Sequence, residues 1–469
     1  MVDSRIEELV AFCQRKGFFV PSCDLYGGLA GVYDYGPLGA ELKNNFKRAW
    51  WRAMVYERDD VEGLDGAILS HPKLLDYAGH VDAFTDMVVT CRRCTRRTRA
   101  DHVRSGRCAY CGSLELSDTH PFNTMFRTEI GSIEDRRTLC YLRPATAQHT
   151  FANFKHVLDS SGQRLPFGIA QIGKAFRNEV APTDFPFRMR EFEQLELQFF
   201  VEPGDDERWH ELWLAQRIEW WVAQGLAREN ITVQDVPKHE LAHYSKRTLD
   251  IYYHFADDFQ GEIEGIANRT DYDLGCHSRE QHRLNIRARV KENHESNAVM
   301  AVRDPITNAW KVPFVIEPAA GVDRGVMALL SEAYTREHLG HGGARLVLKL
   351  KPHLAPIKAA IVPADNDDGQ IVALAKEIKR RLVVLDLGRV MLEANTGLGD
   401  VYRRHDEIGT PLCVTVDSGA VRHRASTVAV RDRDPMNEER IALADLPDYV
   451  AAKCRYDRGA RDAGHRAES

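Results

Sequence analysis

No stretch of this 469-residue chain approaches the roughly eighteen consecutive apolar residues of a membrane-spanning helix, which excludes that kind of membrane protein. The opening segment MVDSRIEELVAFCQRKGF reads as an amphipathic helix with charges throughout. It lacks the apolar core of a secretion signal, so the expected setting is cytoplasmic. Positive charge is not in excess: 63 Lys and Arg face 69 Asp and Glu, for a formal net charge of −6 with His neutral. That excludes coating nucleic acid through overall charge, but leaves room for a local basic face. No internal repeat or low-complexity tract breaks the chain. A GxxxxGK(S/T) loop is absent, which excludes a P-loop ATPase, and no Ser–His–Asp set is evident. The ten cysteines do not read as a disulfide framework: four fall within 21 positions and six are scattered, as for a metal site plus free thiols in a reducing compartment.

What is present is an ordinary globular composition, 43% hydrophobic and 28% charged, in a length expected to make two to four domains. Residues 1–85 read as a helical opening followed by mixed structure. Within them Leu42, Phe46, Trp50 and Trp51 sit at helical spacing, which predicts a helix over Gly39–Arg58 with one buried face. Residues 86–120 are rich in Arg, Thr and Cys and too poor in large apolar residues to build a core. Residues 121–345 are the longest block, with strands such as FGIAQIGKAF and EFEQLELQFF and a strongly amphipathic helix predicted over Asp205–Leu226. From Leu346 the pattern changes: LVLKL, APIKAAIVP, RLVVLDL, PLCVTVD and TVAVRDR read as strands and IVALAKEIKRRL as a helix, which is a small α/β domain over 346–457. Residues 458–469 are polar and expected to be a disordered, frayed tail.

Cys91, Cys94, Cys108 and Cys111 form two CxxC pairs thirteen residues apart. Each pair places two thiolates on one tight turn, and two such turns offer the four sulfurs that Zn2+ takes tetrahedrally. The gap is slightly below the usual range of about fifteen to twenty, which a short hairpin spans. Gly106 and Gly112 are suitable turn residues beside the second pair. Four thiolates leave no open coordination position, so the expected role is structural, as a zinc ribbon.

The stretch 167–200 reads as strand, loop, strand. The first strand ends in FRNE, the loop APTDFPFRMR holds two prolines and two arginines, and the second strand begins EFEQLE. With alternate residues on one face, Phe192, Gln194, Glu196 and Gln198 line up opposite Leu195, Leu197 and Phe199. A polar row opened by one aromatic is unusual for packing but natural for the floor of a ligand site. Arg177 suits neutralising an α-phosphate, because a guanidinium is always charged and binds in a bidentate fork. Phe192 suits stacking on a base, and Arg188 suits holding outer phosphates. In GEIEGIANRTDYDL, Glu262 and Glu264 are expected on one strand face, suited to Mg2+ or nucleoside contact, with Arg269 downstream. IEPAAGVDRGVMALL reads as strand, glycine turn and helix, and Arg324 near the helix start makes a polyphosphate site.

These pieces resemble the class II aminoacyl-tRNA synthetases. The FRNE–loop–RMREF hairpin is similar to their second signature motif and GVDRGV to their third. With LYGGLAGVYDYGPLG (25–39), NNFKRAWW (44–51), AGHVDAF (78–84), FNTMF (122–126), NFKHV (153–157), GIANRTDYDL (265–274), VIEP (315–318), KLKPHLAPIK (349–358) and YRRHDEIGTP (402–411), the chain resembles the dimeric glycyl-tRNA synthetases from about residue 5 to 455. The resemblance implies an α+β fold. Residues 121–345, continued by 1–85, form an antiparallel-sheet catalytic domain with a zinc-ribbon insertion at 86–120, and the C-terminal α/β domain binds the anticodon. It implies a homodimer with N-terminal elements in the interface, and ATP, Mg2+, an amino acid and tRNA as reactants and partners. It puts ATP on Arg177, Asn178, Glu179, Phe187, Arg188, Phe192, Glu262, Ile263, Gly321 and Arg324. It puts the amino acid near Arg99, Phe192, Gln194, Glu196, Arg269, Glu317 and the positions here occupied by Ala145, His149 and Ala319. The basic run Arg92, Arg93, Arg96, Arg97 and Arg99 is either a tRNA-phosphate face or a solvated one.

The chain departs from the family in its amino-acid pocket. LRPETAQG is here LRPATAQH, so Ala145 replaces a glutamate and His149 a glycine, and EPSAG is EPAAG, so Ala319 replaces a serine. Losing one carboxylate removes a charge-assisted bond to the substrate ammonium, worth about 1.5–3 kcal/mol. Three readings follow: a glycine–tRNA ligase, a related enzyme activating another amino acid for tRNA or another acceptor in a biosynthetic pathway, and a non-catalytic tRNA-binding regulator. Retention of Arg177, Glu179, Phe192, Glu262 and Arg324 argues against the last.

Overall fold

The first helix, α1 (Ser4–Lys16), buries Ile6, Leu9, Phe12 and Cys13, the three-and-four spacing that puts one face on a core. The computed structural model describes residues 4–456 apart from 104, 132–138, 181, 183–186, 257–258, 305–306, 340–342, 394–396 and 423–426; the expected tail at 458–469 lies outside the described residues. The helix α2 (Pro37–Trp51) starts on a proline in its first turn and continues as a π-helical turn over Arg52–Tyr56. It buries Leu42, Phe46 and Trp50 as its spacing predicts.

After the short strand β1 (Val61–Leu64) comes a small antiparallel sheet. Its strands are β2 (Thr85–Thr90), β3 (Arg97–Arg99) and β4 (His120–Asn123), in the order β3–β2–β4. The helix α3 (Ala147–Ser161) follows, stopped by Gly162 in the left-handed region. The largest sheet then assembles from β5 (Phe167–Phe176), β6 (Glu191–Val201), β7 (Ile231–Asp235), β8 (Arg247–Ala256), β9 (Phe259–Thr270) and β10 (Phe314–Gly321). The strand order is β7–β8–β9–β10–β6–β5–β1, with every pairing antiparallel except β5 with β1. Two helices cover one face of it, α4 (Asp206–Gln224) and α5 (Val322–Ala333). Phe46 of α2 packs on Trp220 and Trp221 of α4 with ring centres 5.6 Å apart, so the N-terminal segment shares the core of this sheet.

The helix α4 is less cleanly amphipathic than expected. Its buried stripe mixes Trp213, Ile218, Trp220 and Trp221 with Asp206, His210, Arg217 and Gln224. The reason is a buried ion pair from Arg217 to Glu264 on β9, 2.6 Å, which Trp221 joins by donating its indole N–H to the same carboxylate.

The C-terminal unit has its own core and a five-stranded sheet. Its elements are β11 (Ile357–Pro363), α6 (Gly369–Val383), β12 (Arg389–Leu392), α7 (Leu398–Glu407), β13 (Leu412–Val416), β14 (Thr427–Asp432), β15 (Glu438–Ala442) and α8 (Leu446–Cys454). The order is β12–β11–β13–β14–β15, parallel around β11 and antiparallel beyond β13. The strand expected over RLVVLDL is not formed. The helix α6 ends at Val383, and β12 begins only after a turn in which Asp386 and Gly388 take positive φ of 51° and 126°.

Candidate active site

The large sheet carries a cavity of about 780 Å³ on the face away from α4. Alternation along three central strands builds its floor. Phe192, Gln194 and Glu196 come from β6, Gly265, Ala267 and Arg269 from β9, and Glu317, Ala319 and Gly321 from β10. Leu195, Leu197 and Phe199 lie in the core beneath, as expected. Gln198, expected in the polar row, is buried behind it and donates to Glu317 at 2.7 Å.

At one end the cavity is cationic. Arg177, just past β5, lies between the rings of Phe84 and Phe192, 5.0 and 5.2 Å from their centres, and donates from Nε to the Pro144 carbonyl at 3.0 Å. It makes no ion pair among the described residues, and burial lowers its affinity for a proton. Arg188 stands 3.7 Å from the Glu179 carboxylate. Arg324, in the first turn of α5, donates to the Glu262 carbonyl at 2.8 Å, to its carboxylate at 3.2 Å, and to the Phe187 carbonyl at 3.0 Å.

At the other end the cavity is anionic. Glu196 accepts a 2.5 Å hydrogen bond from the Thr146 hydroxyl. Burial and the neighbouring Glu317 push its pKa up to about 7. Glu317 accepts from Arg269 at 2.8 Å, and Arg269 also grips Asp273 through two bonds of 2.7 and 2.8 Å. The Tyr244 ring lies 3.5 Å from the Arg269 guanidinium. Ala145, Ala147 and Ala319 supply walls one methyl deep.

Four expected residues stand elsewhere. Glu264 is on the opposite side of the sheet from Glu262, because a β-bulge leaves Ile263 without a partner on β8 and breaks the alternation. His149 does not line the cavity. It points behind the sheet edge to Ser70, at 2.9 Å, and burial next to Arg143 lowers its pKa to about 4. Arg99 is outside the cavity wall and pairs with Asp101 at 2.8 Å and Asp86 at 3.5 Å. Asn178 is also outside the wall, its main chain bonded to Thr124 at 2.7 Å. Tyr244, Phe84 and Asp250 are among the wall residues that the sequence pattern did not single out. Asp250 is pushed up to about 7 by burial and by the charge of Glu262 on the neighbouring strand.

The four expected metal ligands do converge. Their sulfur atoms lie within 4.8 Å of one another, with Cys91–Cys111 and Cys94–Cys108 both at 3.7 Å.

An antiparallel sheet bearing a nucleotide-sized cavity, cationic at one end and anionic at the other, followed by a separate mixed α/β unit, defines a class II tRNA synthetase. Residues 126–332 match the family profile described as tRNA synthetase class II core domain (G, H, P, S and T), and 358–453 match the anticodon binding domain. Among curated proteins the chain is similar to the glycine--tRNA ligase of Deinococcus radiodurans, 48% identical over 97% of this chain and 100% of that one. It is also similar to those of Thermus thermophilus, 47% identical over 97% and 100%, and Thermobifida fusca, 42% identical over 96% and 98%. The chain belongs to the glycine--tRNA ligase family.

Proposed function

We propose that the protein activates glycine with ATP and transfers it to tRNA, and that the cavity on the large sheet is where both steps occur. The observation that supports this most is Arg177: a half-buried guanidinium between two rings, without an ion-pair partner among the described residues, beside a carboxylate pair suited to an ammonium. A charge partly withdrawn from water and left unpaired costs free energy that a bound anion can offset. In the first step a carboxylate oxygen of glycine attacks the α-phosphorus in line, the new P–O bond forms, and pyrophosphate leaves. In the second, the 3′-terminal hydroxyl of tRNA attacks the carbonyl carbon and AMP leaves. No protein nucleophile is required, because positioning and charge stabilisation carry both steps.

Arg177 neutralises charge growing on the α-phosphate. Arg188 and Arg324 hold the outer phosphates and nucleotide, Phe192 offers its ring to the base, and Glu196 and Glu317 take the ammonium. Glu262, which faces Asp250, is the carboxylate suited to hold Mg2+, which when bound supplies charge neutralisation on the phosphates. The C-terminal unit would receive the anticodon. A cytoplasmic homodimer is part of the same proposal.

The test is pyrophosphate exchange with a panel of amino acids, followed by tRNA charging. Glycine is expected to support exchange; its failure at millimolar concentration, with another amino acid succeeding, would favour the second reading, for which the shallow walls at Ala145 and Ala319 speak. The exchange has a predicted pH signature. The ammonium needs an ionised Glu196, so binding displaces a proton below the raised pKa of about 7. KM for glycine is therefore expected to rise about tenfold on going from about pH 8 to about pH 6. A flat KM across that window would count against Glu196 as the ammonium partner.

The cysteine cluster fits zinc. Four thiolates about 2.3 Å from a central ion stand about 3.8 Å apart in a tetrahedron, against the 3.7 Å of the Cys91–Cys111 and Cys94–Cys108 pairs. Zinc there would hold the small sheet together. Purified protein is expected to carry about one zinc per chain by plasma emission, and Cys108→Ser to lose it. Limited proteolysis should then cut within 86–120 while the main melting transition stays. Metal-free parent protein with the same protease resistance would remove the zinc proposal.

A further inference from the structure

Asp323 joins three separate segments at one carboxylate. It is the second residue of α5 and is buried. Its Oδ1 accepts from the Tyr35 hydroxyl at 2.7 Å and from Lys43 of α2 at 3.2 Å, and its Oδ2 accepts from the Glu193 main-chain N–H at 3.0 Å. Glu193 is tied in turn to Lys43 at 3.0 Å and Lys47 at 2.9 Å. These contacts fall between residues already placed in the cavity wall. Glu193 lies between Phe192 and Gln194 on β6, and Asp323 immediately precedes Arg324.

We infer that Asp323 is a positioning residue for ATP: by clamping the start of α5 to β6 and to α2, it fixes the separation of Arg324 from Phe192 across the nucleotide. The inference rests on the functional reading above. The tip of Arg324 is held by Glu262 and Phe187, but its root is set by the helix start that Asp323 anchors. Phe192 needs such a hold, because a second cavity of about 250 Å³ lies behind it, sharing Met189, Phe192, Glu193 and Asp323 with the first. A ring that borders two cavities is held by few side-chain contacts, Arg177 among them, and the peptide N–H that follows it, that of Glu193, is bonded to Asp323. The ammonium end is anchored separately, through Thr146, Gln198, Arg269 and Asp273. Loosening the clamp should therefore act on ATP and leave the amino acid alone.

Asp323→Asn keeps the shape but turns one acceptor oxygen into an N–H₂, which then opposes either the Glu193 N–H or the Tyr35 and Lys43 donors, and removes the charge that holds Lys43. KM for ATP in exchange, and Kd for ATP with Mg2+ by calorimetry, are expected to rise at least about tenfold, since small misplacements of binding groups are costly. KM for glycine should stay within about twofold. Tyr35→Phe, which removes one donor and disturbs folding less, should raise both ATP constants by about two- to fivefold. An ordinary fold-stabilising ion pair would give another pattern: a smaller active fraction, both KM values unchanged, and a lower melting temperature. That pattern, or parallel increases in both KM values, overturns the inference. If Asp323→Asn does not fold, unchanged ATP constants in folded Tyr35→Phe overturn it equally. Parent protein that binds ATP but exchanges with no amino acid would instead refute the function proposed above, and the calorimetric comparison would still decide the role of Asp323.

Discussion

Replacing Arg177 by methionine is expected to lower glycine-dependent pyrophosphate exchange by about 10²–10³-fold in kcat/KM, the usual loss when a preorganised charged donor is removed from a transition state. The guanidinium has five N–H donors, and among the described residues its one hydrogen bond comes from Nε, to the Pro144 carbonyl. The rings of Phe84 and Phe192 hold the plane on either side, so the remaining donors are fixed before a nucleotide arrives. That preorganisation separates this arginine from Arg99, which spends its donors on Asp101 and Asp86. The same variant should not lose stability. Desolvation already disfavours the charge, and exchanging a half-buried ion without an ion-pair partner among the described residues for an apolar side chain of similar length is expected to be neutral or slightly stabilising. A melting temperature equal to or above the parent, together with the loss of exchange, is the combined expectation. A variant that melts lower and keeps most of its exchange would show that Arg177 packs the fold and does not serve the phosphate. Arg177→Lys should recover only part of the rate, since a single ammonium cannot reproduce a planar fork.

What the sequence disclosed of this site follows the regularity of the backbone beneath each residue. Phe192, Gln194 and Glu196 were readable because β6 is regular along that stretch, and a period of two then assigns faces directly. The same rule failed two strands away, at Glu264 on β9, because an extra residue in one strand leaves no mark in hydrophobic alternation. Asp250 was within reach of the rule. Leu249, Ile251 and Tyr253 are buried, which leaves Thr248, Asp250 and Tyr252 for the other face. Tyr244 was not within reach, since it belongs to an irregular connection between β7 and β8 and meets Arg269 only through tertiary folding. His149 sits four residues beyond Ala145, but the helix α3 begins between them and turns its side chain toward Ser70. The expected strand at RLVVLDL shows the other ambiguity: a short apolar run fits a helix end as well as a strand, and here it ends a helix that gives way to a turn with Asp386 and Gly388 at positive φ. The cysteine cluster was the most legible feature, because spacing alone limits how four thiols on two turns can meet.

Glu317→Gln should produce the next largest loss, and one that reports on charge more than on shape. Glu317 accepts from Arg269 at 2.8 Å and from Gln198 at 2.7 Å, at the bottom of the cavity. An amide of the same size keeps the packing but removes a negative charge beside the proposed ammonium. A hydrogen bond to a charged group contributes about 1.5–3 kcal/mol, so KM for glycine should rise by about one to two decades, with KM for ATP nearly unchanged. Stability should fall less than the 3–5 kcal/mol or so typical of breaking a buried pair, because Asp273 still holds Arg269 through two bonds. The pH dependence then separates this account from simple disruption. Burial is the larger cause of the raised pKa of Glu196 and the charge of Glu317 the next. Neutralising Glu317 must lower the pKa of Glu196, leaving it ionised further into acid. The rise of KM as pH falls should therefore begin at a lower pH in the variant than in the parent. If the two profiles bend at the same pH, the carboxylates do not share the ammonium, and the anionic end of the cavity is a structural cluster that glycine does not use.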